Sequence, residues 1–172
     1  MRKKGFTAII GGKPKVLILG SMPSEASLEK QQYYGHARNL FWVFMGELFD
    51  FDHSIEYQQR TQHLIEQGVA VWDVIEKCHR EGSLDSAIES DSIQANDFVQ
   101  LFADYPTIRN IFFNGAKAET EFRKRVMPLL KESAENYQFE LLPSTSPANA
   151  GMTKAEKLVR WKKVKTVLQT KK

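Results

Sequence analysis

The sequence predicts an α/β fold: a single domain whose mostly parallel, four-stranded central sheet is flanked by helices on both faces. Three observations predict it. Four short runs (16–20, 69–72, 108–113 and 137–142) read as strands, and the first two show the unbroken hydrophobicity of strands buried on both faces. Helical patterns lie between and after those runs, and strands alternating with helices build parallel sheets through crossover connections. Each run also ends in polar residues. In a parallel sheet these ends share one rim, where ligands bind.

The first run, Val16-Leu17-Ile18-Leu19-Gly20, is closed by glycine and followed by a polar stretch from Ser21 to Arg38. That stretch is too long for a tight turn, and loops of that length in a compact domain are usually functional or disordered. Leu40, Phe41, Phe44, Met45, Leu48 and Phe49 then recur at three and four residues, the spacing of a helix face, with Asn39 in the N-cap position before them. A second helical pattern spans about 55–67 and stops at Gly68. Val69-Ala70-Val71-Trp72 is the second strand, ending in Asp73. A polar excursion (80–91) and a short helix (96–103) lead to the third strand, which is closed by Asn114-Gly115 and followed by a helix reaching about 130. The fourth strand enters Pro143-Ser144-Thr145-Ser146-Pro147-Ala148-Asn149, and a last amphipathic helix covers about 153–168. No repeat, linker or low-complexity segment divides the chain, so residues 1–172 read as one domain with a short basic C-terminal tail.

Composition narrows the function classes. With 172 residues, 42% of them hydrophobic and 26% charged, the chain can bury one core and reads as globular. No apolar run approaches the ~20 residues that cross a bilayer, and Met1-Arg2-Lys3-Lys4-Gly5 lacks a secretory apolar segment. The expectation is a cytoplasmic protein without a membrane partner. Cys78 is the only cysteine, which excludes an internal disulfide or a cysteine-held iron–sulfur cluster and argues against structural zinc. His53, His63 and His79 have no metal-ligand spacing, so neither metal nor cofactor is expected. A net charge of +3 permits a polyanionic partner but does not require one. Lys162, Lys163, Lys165, Lys171 and Lys172 supply part of it and read equally as a solvated helix face and tail.

Two segments carry a family likeness. The first is Gly20-Ser21-Met22-Pro23-Ser24, continued by Tyr33-Tyr34-Gly35-His36-Ala37-Arg38-Asn39-Leu40-Phe41-Trp42; the second is Leu142-Pro143-Ser144-Thr145-Ser146-Pro147-Ala148-Asn149. Together they resemble the two active-site motifs of the uracil-DNA glycosylase superfamily, and specifically its hypoxanthine-DNA (deoxyinosine) glycosylase branch. The resemblance implies double-stranded DNA carrying a damaged base as partner. The damaged nucleotide is turned out of the stack, because an enzyme cannot reach the sugar-to-base bond inside the helix. Hydrolysis then leaves an abasic site. A monomer is the default. Two positions depart from the uracil-specific pattern: Met22 stands where Asp or Asn orients water, and Ser144 where His or Asn stands. In the branch resembled here, the asparagine before the Phe-Trp pair is implicated instead, which is Asn39.

The chemistry asks for a water held near C1′ and for hydrogen bonds to the departing base. Asn39 is the catalytic candidate, its amide oxygen fixing a water; the alternative is that it only caps the Leu40 helix. One oxygen does not readily do both, so its direction should discriminate. Base-binding candidates are Tyr34 by stacking, Asp73 accepting from N1–H, Asn114 donating to O6 or N7, and His36 donating to the base or a phosphate. The plainer readings are loop packing for Tyr34, a helix cap for Asp73, a turn for Asn114 and a structural role for His36. DNA-binding candidates are Ser21, Ser24, Arg38, Ser144, Thr145, Ser146 and Asn149, with Lys154 adding charge, since small hydroxyls and free amides let backbone approach phosphates. Other superfamily members push a leucine into the duplex from the fifth position of the second motif; here it is Ala148. Met152 is the substitute wedge, or simply helix packing. Neither motif places a lysine as a Schiff-base nucleophile, so a monofunctional enzyme is expected. Two rivals remain: a glycosylase for uracil, xanthine or mismatched bases, and a non-catalytic α/β module binding nucleotide or nucleic acid.

Overall fold

A computed structural model describes residues 2–169; Lys171 and Lys172 of the expected basic tail lie outside the described residues. In chain order the elements are β1 (Arg2–Lys4), β2 (Val16–Gly20), α1 (Glu25–Lys30), α2 (Phe41–Phe49), α3 (Tyr57–Glu66), β3 (Val69–Asp73), β4 (Ile75–His79), β5 (Gln94–Ala95), α4 (Phe98–Asp104), β6 (Asn110–Asn114), α5 (Ala116–Arg125), α6 (Met127–Leu130), β7 (Gln138–Leu142) and α7 (Lys154–Gln169). The central sheet has the order β3-β2-β6-β7. All three pairings are parallel, so the sheet is wholly parallel where a mostly parallel one was expected.

The sheet separates two cores, and the two-residue period of a strand decides which side chain enters which. Val16, Ile18, Val69, Val71 and Phe112 join α2, α3 and α7 through Phe41, Phe44, Met45, Leu64 and Trp161. Leu17, Leu19, Ala70, Ile111 and Phe113 face the other way, onto Phe98, Phe102, Ala118, Phe122 and Val126 of α4, α5 and the residue after it. Burial on both faces is why β2 and β3 read as unbroken apolar runs. No helix among the described residues is long and apolar enough to cross a membrane.

Three features correct the expectation. The 21–38 stretch is not wholly irregular: Ser24 caps α1, its Oγ accepting the Ser27 N–H at 3.1 Å. The 80–91 excursion follows a strand, and β1, β4 and β5 form a second, antiparallel sheet. Met22, Ile75, Cys78, Ile88 and Ile93 make a small apolar cluster there, which is where the methionine of the first motif goes. Finally, α2 begins at Phe41 with Leu40 as its cap residue, one position later than Asn39.

Candidate active site

The carboxyl ends of all four central strands open into one cleft of about 430 Å³, within the ~300–1,000 Å³ usual for small-molecule sites. Gly20 and Asp73 end β2 and β3 and are register partners; Asn114 ends β6, and Ser144 follows β7. The cleft is lined by Tyr34, Asn39, Asp73 and Asn114 among the expected catalytic and base-binding residues, and by Ser21, Ser24, Ser144, Thr145, Ser146 and Asn149 among the expected DNA contacts. His36, Arg38 and Met152 do not line it. His36 Nδ1 accepts the Arg38 N–H at 3.1 Å, Arg38 is exposed, and Met152 is half-buried.

Two buried polar atoms in this cleft have no protein hydrogen-bond partner: Tyr34 Oη and Asp73 Oδ2. Leaving buried groups unpaired costs stability; Arg60 Nε and Arg80 Nη1 are the other two such atoms among the described residues. Tyr34 adopts a left-handed backbone (φ 55°) that residues other than glycine rarely take, and its ring stacks on Phe41 at 4.1 Å. Burial, then the neighbouring Asp73 charge, pushes its hydroxyl above the usual tyrosine range. The Asn114 amide pulls weakly the other way but makes its hydrogen bonds elsewhere. Burial pushes the Asp73 carboxyl up to about 7; the Asp85 charge adds to this and Arg80 opposes it. Asp73 is therefore largely a neutral acid below neutrality, able to donate as well as accept. It does not cap the next element. Its carbonyl is held by Asn96 Nδ2 at 2.7 Å.

Asn39 faces the cleft and also serves its helix: Oδ1 accepts the Phe41 N–H at 2.9 Å. The helix-capping alternative is thus observed, on the same oxygen that the water-holding role requires, an oxygen that carries a second lone pair. The cap contact fixes the direction of the carboxamide.

The second motif is tied to the first. Asn114 Nδ2 donates to Thr145 Oγ1 at 2.9 Å, Thr145 N–H donates to Asn114 Oδ1 at 2.9 Å, and Leu40 N–H donates to Thr145 O at 3.0 Å. Thr145 is 1% exposed, so its hydroxyl cannot meet a phosphate; this expected DNA contact is instead a clasp between β6, the β7 loop and α2. Ser21 is likewise buried, with Oγ donating to Asp85 Oδ1 at 2.6 Å. Behind the loop, Lys157 Nζ donates to Asn149 O at 2.7 Å and Trp161 Nε1 to Pro143 O at 2.8 Å. Gly115, with φ 95°, lets β6 pass close to this loop: a Cβ there would stand 3.1 Å from Ser144 Cβ.

The sequence reading missed Ser83, Leu84, Asp85 and Ser86, which form another wall of the cleft. They come from the polar excursion, and nothing in their local pattern separates them from a solvated loop.

A parallel sheet with this cleft at its carboxyl edge, built from the two motifs, defines the class. The chain belongs to the Uracil DNA glycosylase superfamily, whose family pattern matches residues 9–168. Among curated relatives, it is similar to the Hypoxanthine DNA glycosylase of Methanosarcina barkeri, at 37% identity over 158 residues (91% of this chain, 94% of the relative). It is 39% identical over 155 residues to the Hypoxanthine DNA glycosylase of Methanosarcina acetivorans (90% and 92%). A solution NMR structure from Methanosarcina acetivorans, of a protein provisionally named a uracil DNA glycosylase, superposes with a TM-score of 0.81 at 37% identity, covering 99% of this chain and all of that one.

Proposed function

We propose that this protein is a monofunctional DNA glycosylase that hydrolyses deoxyinosine in double-stranded DNA, releasing hypoxanthine and leaving an abasic site. The reading includes a monomer acting in the cytoplasm. The observation that carries it is the pair of unpartnered buried atoms, Tyr34 Oη and Asp73 Oδ2, in the cleft of a chain similar to two proteins named Hypoxanthine DNA glycosylase.

Hypoxanthine offers an N1–H donor beside an O6 acceptor. A neutral Asp73 carboxyl answers both, accepting from N1–H and donating to O6, whereas an ionised one would repel O6. Tyr34 has one ring face covered by Phe41, which leaves its hydroxyl and its other face to meet the base. The hydrogen bonds donated to the base, from the Asp73 carboxyl to O6 and from the Tyr34 hydroxyl, strengthen as the base gains electrons, which is when they accelerate bond breaking. The bond between C1′ and N9 breaks with its electron pair going to the base, and a water oxygen bonds to C1′. The proton released by that water balances the one the departing base takes up. Asn39, with its carboxamide fixed by Phe41 N–H, holds the water through the remaining lone pair of Oδ1. Ser24, Ser144, Ser146 and Asn149 form the rim that meets the backbone of the strand, with Arg38 and His36 outside the cleft toward phosphates.

The same donor–acceptor pair occurs in uracil, at N3–H and O4, and this favours uracil as the second reading. Labelled duplexes carrying one hypoxanthine, uracil or xanthine, treated with the protein and then with alkali, test both. Hypoxanthine release fastest of the three is the expected result. Uracil release without hypoxanthine release replaces the first reading with the second, and no release from any duplex leaves a binding module.

A further inference from the structure

A nucleotide turned out of a duplex leaves a gap, and an apolar side chain inserted there keeps the stack from closing. The second motif cannot fill it: Ala148 is exposed at the cleft but carries a single methyl, and Met152 does not reach the lining. We propose that Leu84 is the wedge, supplied by the loop between β4 and β5. This rests on the glycosylase reading above.

Four large hydrophobic side chains are exposed among the described residues: Leu84, Val99, Leu129 and Val159. Of these, Leu84 alone lines the cleft, and it is 56% exposed. The backbone that presents it is pinned on both sides. Gly82 turns the chain with φ 74°, and its carbonyl accepts from Arg80 Nε at 2.9 Å and from Lys3 Nζ at 2.7 Å. Buried Arg80 also donates through Nη2 to Pro23 O, in the first motif. Ser83 Oγ accepts the Glu25 N–H at 2.9 Å, Asp85 Oδ1 accepts Ser21 Oγ at 2.6 Å, and Ile88 closes the loop in the Met22 cluster. An isolated exposed leucine on a mobile loop would mean little. Here the chain on each side of Leu84 is bonded to the first motif and to the helix after it, so the side chain is held out at the mouth of the pocket that receives the base.

The test uses the full chain and two readouts. The first is 2-aminopurine placed opposite the target site of a hypoxanthine duplex, whose fluorescence rises when stacking is broken. The second is the single-turnover rate of hypoxanthine release from that duplex and from one in which the base lies in an unpaired bubble. Leu84→Ala is expected to lose the fluorescence rise and to lower the ratio of duplex to bubble rates about tenfold, since only the paired site needs help to open. Leu84→Phe is expected to restore both. An unchanged ratio with an unchanged fluorescence rise in Leu84→Ala overturns the proposal, as does the absence of any rise with the wild type. Should the wild type raise the fluorescence yet release no base, the catalytic reading fails while the wedge stands.

Discussion

Asp73 Oδ1 lies 2.6 Å from the point at which a Cβ on Gly20 would stand, and Tyr34 Oη lies 2.8 Å from the same point. The missing side chain of Gly20 is thus the space in which the two polar groups converge. Gly20→Ala must displace one of them, and both are buried. Overpacking of this kind costs about 1–3 kcal/mol, so a modest drop in thermal midpoint is expected. A much larger loss of hypoxanthine release should accompany it, because the groups proposed to meet the base are what moves. Wild-type activity in a folded Gly20→Ala protein would show that the convergence has no functional part.

Asn39 has two contributions that separate by assay. Asn39→Ala removes the acceptor for Phe41 N–H, a capping loss of about 0.5–2 kcal/mol, and is expected to lower the single-turnover rate at least ~100-fold, as for removal of one oriented transition-state group. Asn39→Asp keeps an oxygen for the cap and should restore the thermal midpoint. Full activity in Asn39→Ala would remove the water-holding role.

Asp73 predicts a pH dependence with a definite sign. Burial lifts its carboxyl from the ordinary 3.8, which the unfolded chain keeps, to about 7 in the folded one. Between those values the folded state holds more protons, so stability falls as pH rises through the window, levels off above it, and is independent of this group below it. Asp73→Asn, which keeps one donor and one acceptor at every pH, should lose that slope in denaturant titrations. It should also keep its rate above pH 7, where the wild type declines. A wild-type slope retained in the variant would place the titration elsewhere.

The clasp around Thr145 predicts a stability effect from a nearly isosteric change. Thr145→Val leaves Asn114 Nδ2 without its acceptor in a buried place, at a cost of about 1–3 kcal/mol. Denaturation midpoints measure it. Hypoxanthine release should slow as well, because the rim carrying Ser144 and Ser146 loses its anchor.

No lysine lines the cleft among the described residues. A denaturing gel run before alkali treatment should therefore show intact strands; nicked product at that stage would require an amine nucleophile.

Much of this was legible in the chain. Strands β2 and β3 announce themselves because both faces are covered, which leaves their runs apolar, whereas β6 and β7 keep polar positions at Asn110, Gln138 and Glu140. Asp73 and Asn114 could be placed at one rim because strand ends in a parallel sheet share a direction. The small antiparallel sheet was not legible: β1 is Arg2-Lys3-Lys4 and β5 only Gln94-Ala95, held by backbone pairing that leaves no side-chain signature. For the same reason Leu84 and Asp85 escaped notice, since their meaning comes from which wall they stand beside. Thr145 escaped differently. A hydroxyl in a serine-rich loop reads as a surface group, and only its partner 31 residues away reveals that it is buried.

The bond from Leu40 N–H to Thr145 O, with the Asn114 contacts beneath it, couples the two halves of the binding rim before any nucleic acid arrives. On the glycosylase reading, a rim tied together in this way leaves bending and unpairing to the DNA. Sites whose base pair is already weakened open with the least effort. Lesion-bearing pairs would then be favoured over intact ones at the moment of opening, ahead of any contact with the base itself.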